Sequence, residues 1–279
     1  MYRTLVAVEE LAQHVNDPQW VVVDCRHSLQ DFESGRRQYI EGHIPGAFFA
    51  DVERDLAGEK TGKNGRHPMP ELARFAEFLR ELGVTNETQI VAYDAGGDMF
   101  AARMWFLCRH AGHDAVAVLD GGIAAWIAAG KPLSTEEPAR RAKGSFQPNP
   151  RRELTVDAGA VLASLNDNAF SVLDARGADR FAGQNETIDP VAGHIPGALN
   201  RPFKENFDER GHFKQPAQLR DEFAQLGVHP KRIVHQCGSG VSAAVNLLAM
   251  EHAGAQGSRI YPGSWSEWIA DPARPVTTG

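Results

Sequence analysis

A cysteine in a glycine-containing loop is the feature of this sequence that most clearly predicts chemistry. Cys237 opens the segment CGSGVS, which follows an apolar stretch of strand length and precedes a stretch with helical periodicity. The two glycines of the loop let its backbone curl, so that successive amide N–H groups form an anion-binding nest. The nest and the positive end of the following helix dipole favour the nucleophilic thiolate form of the cysteine. The residues expected to bind an anionic group in this loop are Gly238, Gly240, Val241 and Ser242.

The chain contains two copies of one pattern. The hexapeptide GHIPGA occurs at residues 42–47 and again, unchanged, at residues 193–198. Three further landmarks follow the same order in both copies: an Asp-x-Arg triplet, an IV-containing loop segment and a tryptophan-ended segment. The repeat is too long for a solenoid and therefore indicates a duplicated domain. In the first copy Asp94 occupies the position of Cys237, so we expect that copy to serve as scaffold.

Each copy alternates short apolar runs with stretches of helical period, which predicts a mostly parallel sheet flanked by helices on both faces. Ligands of such sheets bind beyond the carboxyl ends of the strands, where the cysteine loop lies. We place the first domain at residues 1–135, a proline-rich linker at 136–152 and the catalytic domain at 153–279. In the second copy the predicted helices are 156–165, 216–226, 242–252 and 265–270, and the predicted strands are 171–174, 232–235 and 259–261.

Composition limits the classes of partner. The 279 residues carry a net charge of -7, which offers no general attraction to nucleic acid or to an anionic membrane. The N-terminus has no signal-peptide pattern, no run of 18 apolar residues occurs, and the three cysteines form no disulfide framework. We expect a soluble, cytoplasmic protein that acts on a small molecule. The histidines show no metal-binding spacing, so no metal is predicted.

These motifs resemble the tandem-rhodanese sulfurtransferases, the family of thiosulfate and 3-mercaptopyruvate sulfurtransferases. The resemblance covers nearly the whole chain: two copies, GHIPGA in both, a cysteine loop only in the second, and the terminal segment SWSEW. It implies two rhodanese-like domains without a cofactor. It also implies that the Cys237 thiolate takes sulfur from a small anionic donor and becomes a persulfide, from which cyanide or a thiol removes the sulfur. Because the chain contains two copies of the domain, each copy can offer the other the surface that a second subunit would provide, so we expect a monomer.

The loop also carries information about the sulfur donor. CGSGVS resembles the mercaptopyruvate branch, whereas the thiosulfate branch has basic side chains at the positions of Gly238 and Ser239. In the mercaptopyruvate branch two arginines hold the donor carboxylate. The first matches Arg180, and the second has no match because residues 184–191 contain no arginine. The donor therefore stays open between thiosulfate and 3-mercaptopyruvate.

The same branch has a proposed proton relay of serine, histidine and acid beside the cysteine. By resemblance, Ser239 takes the place of the serine and His67 that of the histidine, with Glu53 where an aspartate is usual. A histidine near its ordinary pKa range can exchange protons at neutral pH. The alternative for His67 is a solvated loop histidine beside a proline.

Two other functions remain as alternatives. A cysteine phosphatase grips phosphate with a CxxxxxR loop, but the sixth residue after Cys237 is Ala243, so the necessary cation is missing. A non-enzymatic binding module would suit a chain that had lost its cysteine, and Cys237 is retained. Most free cysteines are small buried residues, which is the reading we adopt for Cys25 and Cys108. Since GHIPGA also occurs in the copy without the cysteine, we expect it to be structural.

Overall fold

The computed structural model describes residues 1–279 as two compact units. The first unit consists of Met1–Gly58, Pro70–Arg151 and Phe207–Phe213, and the second of Glu59–Met69, Arg152–Asn206 and Lys214–Gly279. Each unit thus contains one short segment from the other half of the chain. The boundaries at residues 135 and 153 do not include this exchange, because segments of 11 and 7 residues without helical or strand periodicity give no sequence signal.

The first unit is built on five strands, β1 (Leu5–Val6), β2 (Trp20–Asp24), β3 (Phe48–Phe49), β4 (Gln89–Tyr93) and β5 (Val116–Leu119). They form one sheet in the order β1-β5-β4-β2-β3, in which every strand pair is parallel. All residues of β2 and β4 are buried, so helices cover both faces of the sheet. The helices of this unit are α1 (Val8–His14), α2 (Ser34–Glu41), α3 (Leu72–Glu81), α4 (Phe100–His110) and α5 (Gly122–Ala128).

The second unit is built on four strands, β6 (Ser171–Asp174), β7 (Leu199–Asn200), β8 (Ile233–Gln236) and β9 (Arg259–Ile260). They form a parallel sheet in the order β7-β6-β8-β9. The central strand β8 and the helix that follows it, α9 (Ala243–His252), are almost entirely buried, which fixes the direction of the loop between them. Its other helices are α6 (Ala158–Asp167), α7 (Ala178–Phe181), α8 (Pro216–Ala224) and α10 (Ser264–Trp268), with short 3-10 turns at Arg152–Leu154, Phe203–Asn206 and Pro230–Arg232.

The predicted fold class is confirmed, and all seven elements predicted for the second copy are present. The strand at Ser171–Asp174 has the predicted bounds, and the other elements begin or end within two residues of theirs. The sequence reading missed β7 and α7, because elements of two and four residues are too short to show a period. No helix of the protein has the length and apolar character needed to cross a membrane.

GHIPGA is structural in both copies, as predicted. At the end of β6, Arg176 pairs with Asp174 at 2.6 Å and donates from Nη2 to the carbonyl of Gly193, the first residue of the hexapeptide, at 2.8 Å. In the first unit, Arg26 makes the same two contacts with the strand-end aspartate and with Gly42. The guanidinium therefore ties the end of a strand to the hexapeptide in each copy.

The other two cysteines are buried, as predicted. Cys25 and Cys108 are both 0% exposed. Burial raises the pKa of each thiol, and for Cys25 the neighbouring Asp24 raises it further. A thiol that burial keeps protonated is a poor nucleophile, so we do not expect Cys25 or Cys108 to react. Exposure alone does not set them apart, since Cys237 is also only 2% exposed.

Candidate active site

The loop around Cys237 has the curled form that its glycines predict. It connects β8 to α9, and the Cys237 Sγ atom accepts a hydrogen bond from the Gly240 N–H at 3.1 Å. Gly240 has a φ of +78°, and a Cβ atom there would lie 2.1 Å from the carbonyl oxygen of Pro262. Only glycine fits this position, and this turn directs the N–H at the sulfur.

Helix α10 holds the cysteine loop in place through hydrogen bonds to the loop backbone. The Cys237 N–H donates to Ser264 Oγ at 3.1 Å, while the Trp265 and Ser266 N–H groups donate to the carbonyls of Cys237 and Gly238, each at 2.9 Å. Ser264 has a φ of +54°, a left-handed conformation that is costly for a residue with a side chain. Its hydroxyl is thereby held where it accepts the cysteine N–H. The terminal SWSEW segment therefore supports the reactive loop.

The structure brings together the predicted serine and histidine. His67 Nδ1 lies 2.7 Å from Ser239 Oγ, and both side chains are buried. This contact joins residues that are 172 positions apart. It exists within the second unit because that unit contains Glu59–Met69. His67 is therefore a buried, hydrogen-bonded side chain rather than a solvated loop histidine.

The third predicted relay residue belongs to the first unit. The Glu53 N–H donates to Asp51 Oδ1 at 2.9 Å in a turn of residues 51–55. The role of its carboxylate in a relay stays a prediction.

Arg180 lies on α7 and faces the loop. A Cβ atom added to Gly238 would lie 3.6 Å from Arg180 Nη2 and 3.8 Å from Nη1. The guanidinium also pairs with two carboxylates: its Nε donates to Glu186 Oε2 at 3.0 Å, and its Nη2 donates to Asp189 Oδ2 at 3.0 Å. Its remaining amino group, Nη1, has no carboxylate partner among these contacts and is available to an anionic ligand that reaches the Gly238 side of the loop.

A second arginine at the loop was missed from the sequence. Arg66 Nη2 would lie 2.8 Å from a Cβ atom at Gly238, and Arg66 Nη1 pairs with Asp189 Oδ1. Burial lowers the pKa of Arg66, and its attraction to Cys237 opposes that shift. The family pattern places the second arginine within residues 184–191, which contain none, whereas Arg66 lies in the first half of the sequence. The available signal was the position of Arg66 directly before His67, a residue already assigned to the site.

Segment 59–69 is held in place by specific backbone contacts. The Arg66 N–H donates to Ser266 Oγ at 3.0 Å. Gly65 has a φ of +84°, and a Cβ atom there would lie 2.8 Å from the carbonyl oxygen of Gly263. A residue with a side chain would push the segment away from α10. The close approach of Gly65 therefore places Arg66 and His67 at the loop.

Two other predicted loop residues directly precede α9. The carbonyls of Val241 and Ser242 accept hydrogen bonds from Ala244 and Val245 at 3.1 Å. Gly240 is the residue whose N–H reaches the sulfur; the expected anion-binding roles of Val241 and Ser242 stay predictions. No group of three or more His, Cys, Asp or Glu side chains in the structure could hold a metal ion.

Comparison with known proteins agrees with this arrangement. The family model for the Rhodanese-like domain matches residues 7–129 and 157–271. The chain is 46% identical over 279 residues to a probable 3-mercaptopyruvate sulfurtransferase of Pseudomonas aeruginosa, covering 99% of this chain and 98% of that protein. It is 34% identical to the thiosulfate sulfurtransferase of Bos taurus, covering 100% of this chain and 97% of that protein.

A solved structure gives the same result at the level of the fold. SseA from Escherichia coli, described as a 3-mercaptopyruvate sulfotransferase, superposes with a TM-score of 0.82 at 34% identity, covering 95% of this chain and 99% of SseA. Both halves of the chain match the family model, and the relatives match over nearly their full length. The chain therefore belongs to the rhodanese family of sulfurtransferases, as a member with two rhodanese domains.

Proposed function

We propose that this protein transfers sulfur from 3-mercaptopyruvate to a thiophilic acceptor, cyanide or a thiol, through a persulfide on Cys237. The observation that carries the choice of donor is the hydrogen bond between His67 and Ser239 beside a loop without charged side chains. It provides a proton-transferring pair at the cysteine loop, and the two candidate donors differ in whether they need one.

The difference follows from the atoms that move. The Cys237 thiolate attacks the donor sulfur, the C–S bond of 3-mercaptopyruvate breaks, and its electron pair forms the enolate of pyruvate. The proton of the donor thiol must then reach the enolate carbon, which yields pyruvate and the persulfide anion. Thiosulfate instead releases sulfite when its S–S bond breaks, and no proton has to move. The His67 and Ser239 pair therefore serves the first donor and not the second.

The donor carboxylate has a suitable site above Gly238. Arg66 Nη2 and Arg180 Nη1 both face this residue, and neither amino group has a hydrogen-bond partner in the structure. Two guanidinium groups that converge on one position favour a carboxylate through charge-assisted hydrogen bonds. Holding the carboxylate there places the donor sulfur beside Cys237 and lowers the entropic cost of the attack.

The persulfide then passes its outer sulfur on. The acceptor attacks the outer sulfur, the S–S bond breaks, and the electron pair returns to Cys237 Sγ. The Gly240 N–H, 3.1 Å from Sγ, supports negative charge on the cysteine sulfur before and after this step. Splitting the transfer into two displacements at sulfur is the general benefit of covalent catalysis.

The test is kcat/KM for 3-mercaptopyruvate and for thiosulfate, measured side by side with cyanide as acceptor. We expect 3-mercaptopyruvate to be preferred by at least about tenfold, and Arg180→Ala and Arg66→Ala each to raise its KM about tenfold. Arg140→Ala removes an exposed arginine and should leave both constants unchanged. Preference for thiosulfate, or an unchanged KM in both arginine variants, would contradict the proposal.

We also infer that the active species is a monomer that needs only small-molecule partners. The chain carries two rhodanese-like domains, and the residues proposed for catalysis, His67, Cys237 and Ser239, lie within one of its two units. The specific activity should stay constant on dilution, and sedimentation should report the mass of a single 30.5 kDa chain. Loss of activity on dilution would show that a second copy is required.

A further inference from the structure

Asp189 occupies an unusual position for a carboxylate in an anion-binding site. Its Oδ1 pairs with Arg66 Nη1 and its Oδ2 accepts from Arg180 Nη2 at 3.0 Å. The Asp189 side chain is only 2% exposed, whereas those of Arg66 and Arg180 are 31% and 19% exposed. One buried carboxylate therefore joins the two guanidinium groups that face Gly238, from the side away from solvent.

The surroundings of this carboxylate contain as many negative as positive groups. Three guanidinium groups lie near the loop, and three carboxylates pair with them: Arg66 with Asp189, Arg176 with Asp174 and Glu186, and Arg180 with Glu186 and Asp189. Without Asp189 this cluster would carry one unit of excess positive charge. With Asp189 it carries none, and an ionised Cys237 makes the site as a whole negative.

This balance distinguishes between the two donors by their charge. The carboxylate of 3-mercaptopyruvate brings one negative charge and takes the two remaining amino groups of Arg66 and Arg180. Thiosulfate brings two negative charges to a cluster whose positive charge is already matched, next to a thiolate of the same sign. Like charges in a partly desolvated site repel much more strongly than in water.

Asp189 and Glu186 do not have the same role. Glu186 Oε1 accepts the backbone N–H groups of Ile188 and Asp189 at 2.9 and 3.0 Å, so it also fixes the course of its own segment. The Asp189 carboxylate has only guanidinium partners. Substitution at Asp189 therefore changes the charge beside the donor without removing a backbone contact.

We propose that Asp189 is a specificity-determining residue: it fastens Arg66 to Arg180 and keeps the site at a charge that accepts a monoanionic donor and disfavours a dianionic one. This inference rests on the proposed function, since it concerns the donor of the same cysteine. In Asp189→Asn the amide oxygen can still accept from one guanidinium, while the negative charge is lost.

The experiment compares both donors in the wild type and in Asp189→Asn. We expect kcat/KM for thiosulfate to rise about tenfold through a lower KM, and kcat/KM for 3-mercaptopyruvate to change less than about threefold. Asp179→Asn removes the same charge from an exposed residue next to Arg180 and should leave the ratio of the two donors unchanged. An equal loss for both donors in Asp189→Asn, or an equal shift of the ratio in Asp179→Asn, would overturn the proposal.

A binding measurement separates this inference from the activity itself. Sulfate, a dianion with no sulfur to transfer, is titrated by calorimetry into Cys237→Ser and into Cys237→Ser/Asp189→Asn. We expect sulfate to bind about tenfold more tightly to the double variant, whether or not the enzyme uses 3-mercaptopyruvate. Equal affinities would overturn the role of Asp189. Failure of Cys237 to accept sulfur from either donor would instead overturn the proposed function.

Discussion

The Asp94 loop of the first domain and the Cys237 loop of the second share a backbone contact but stabilise different groups. In the first domain the Ile123 N–H donates to the carbonyl of Asp94 at 2.9 Å, and in the second the Trp265 N–H donates to the carbonyl of Cys237 at 2.9 Å. The Asp94 carboxylate accepts the N–H groups of Gly96 and Ala101, each at 3.0 Å. The N–H groups of the first loop thus bind the carboxylate of its own aspartate, whereas the second loop donates an N–H to the cysteine sulfur.

The supports of the two loops also differ at one equivalent position. Gly122 in the first domain has a φ of +57°, and Ser264 in the second has a φ of +54°. Glycine adopts this conformation without strain, whereas serine does so at a cost. The second domain accepts that cost and gains a hydroxyl that accepts the Cys237 N–H. At this position the backbone is therefore strained in the domain that carries the nucleophile and unstrained in the first domain.

The strongest test of this difference removes the cysteine from the second loop and then places one in the first. Cys237→Ser should lower kcat at least about a thousandfold, because an un-ionised hydroxyl is a far weaker nucleophile than a thiolate. Adding Asp94→Cys to this variant should not restore activity, because the first loop lacks the Arg180 and Ser239 partners described for the second. Sulfur transfer is measured with cyanide as acceptor, and activity of the double variant would contradict the account.

His67→Asn tests the His67–Ser239 pair at the cysteine loop of the second domain. We expect kcat with 3-mercaptopyruvate to fall about a hundredfold, because the proton needed by the enolate loses its carrier. With thiosulfate the change should stay below about threefold. The matched control is His229→Asn, which alters an exposed histidine of the same domain. A loss of equal size with both donors would mean that His67 has only a structural role.

The Asp94 carboxyl group allows the loop of the first domain to be tested through the pH dependence of stability. Burial, with Asp98 as the second cause, raises the pKa of Asp94 from 3.8 to about 6. Between these values the folded protein binds a proton that the unfolded chain releases, so the free energy of unfolding falls as pH rises from about 4 to 6. The full difference is at most about 3 kcal/mol. This contribution to the free energy of unfolding is fully present below about pH 4 and is lost above about pH 6.

Urea denaturation across this pH range checks the prediction. Asp94→Asn cannot titrate and should lack the fall in stability, whatever its absolute stability. Asp98→Asn removes the like charge and should move the fall to lower pH. If the wild type and Asp94→Asn depend on pH in the same way, Asp94 is already ionised in the folded protein and the comparison of the loops needs revision.

The smallest effect concerns the strained support. Ser264→Ala and Ser264→Gly both leave the Cys237 N–H without its hydroxyl acceptor, but only glycine relieves the left-handed backbone. The glycine variant should therefore be more stable than the alanine variant by about 1 kcal/mol, measured by urea denaturation. Equal stabilities would show that the backbone at Ser264 is not strained.

The fold and the nucleophile were largely predictable from the sequence, for physical reasons. The buried strands and helices carry strong periodic patterns, and the internal repeat identified Cys237 by contrast with Asp94. Arg66 was not predictable in this way. Its place depends on segment 59–69 belonging to the second unit, and a segment without periodicity gives no indication of where it packs. The same holds for Asp189, whose role depends on the two arginines it joins.

The central claim is that Cys237 receives the sulfur atom, and peptide mass spectrometry tests it most directly. The wild type is incubated with 3-mercaptopyruvate without acceptor, digested under non-reducing conditions and mapped. We predict one added sulfur, about 32 Da, on the Cys237 peptide, no addition on the Cys25 and Cys108 peptides, and loss of the added mass with cyanide. An unmodified Cys237 peptide, or sulfur on one of the buried cysteines instead, would contradict the account.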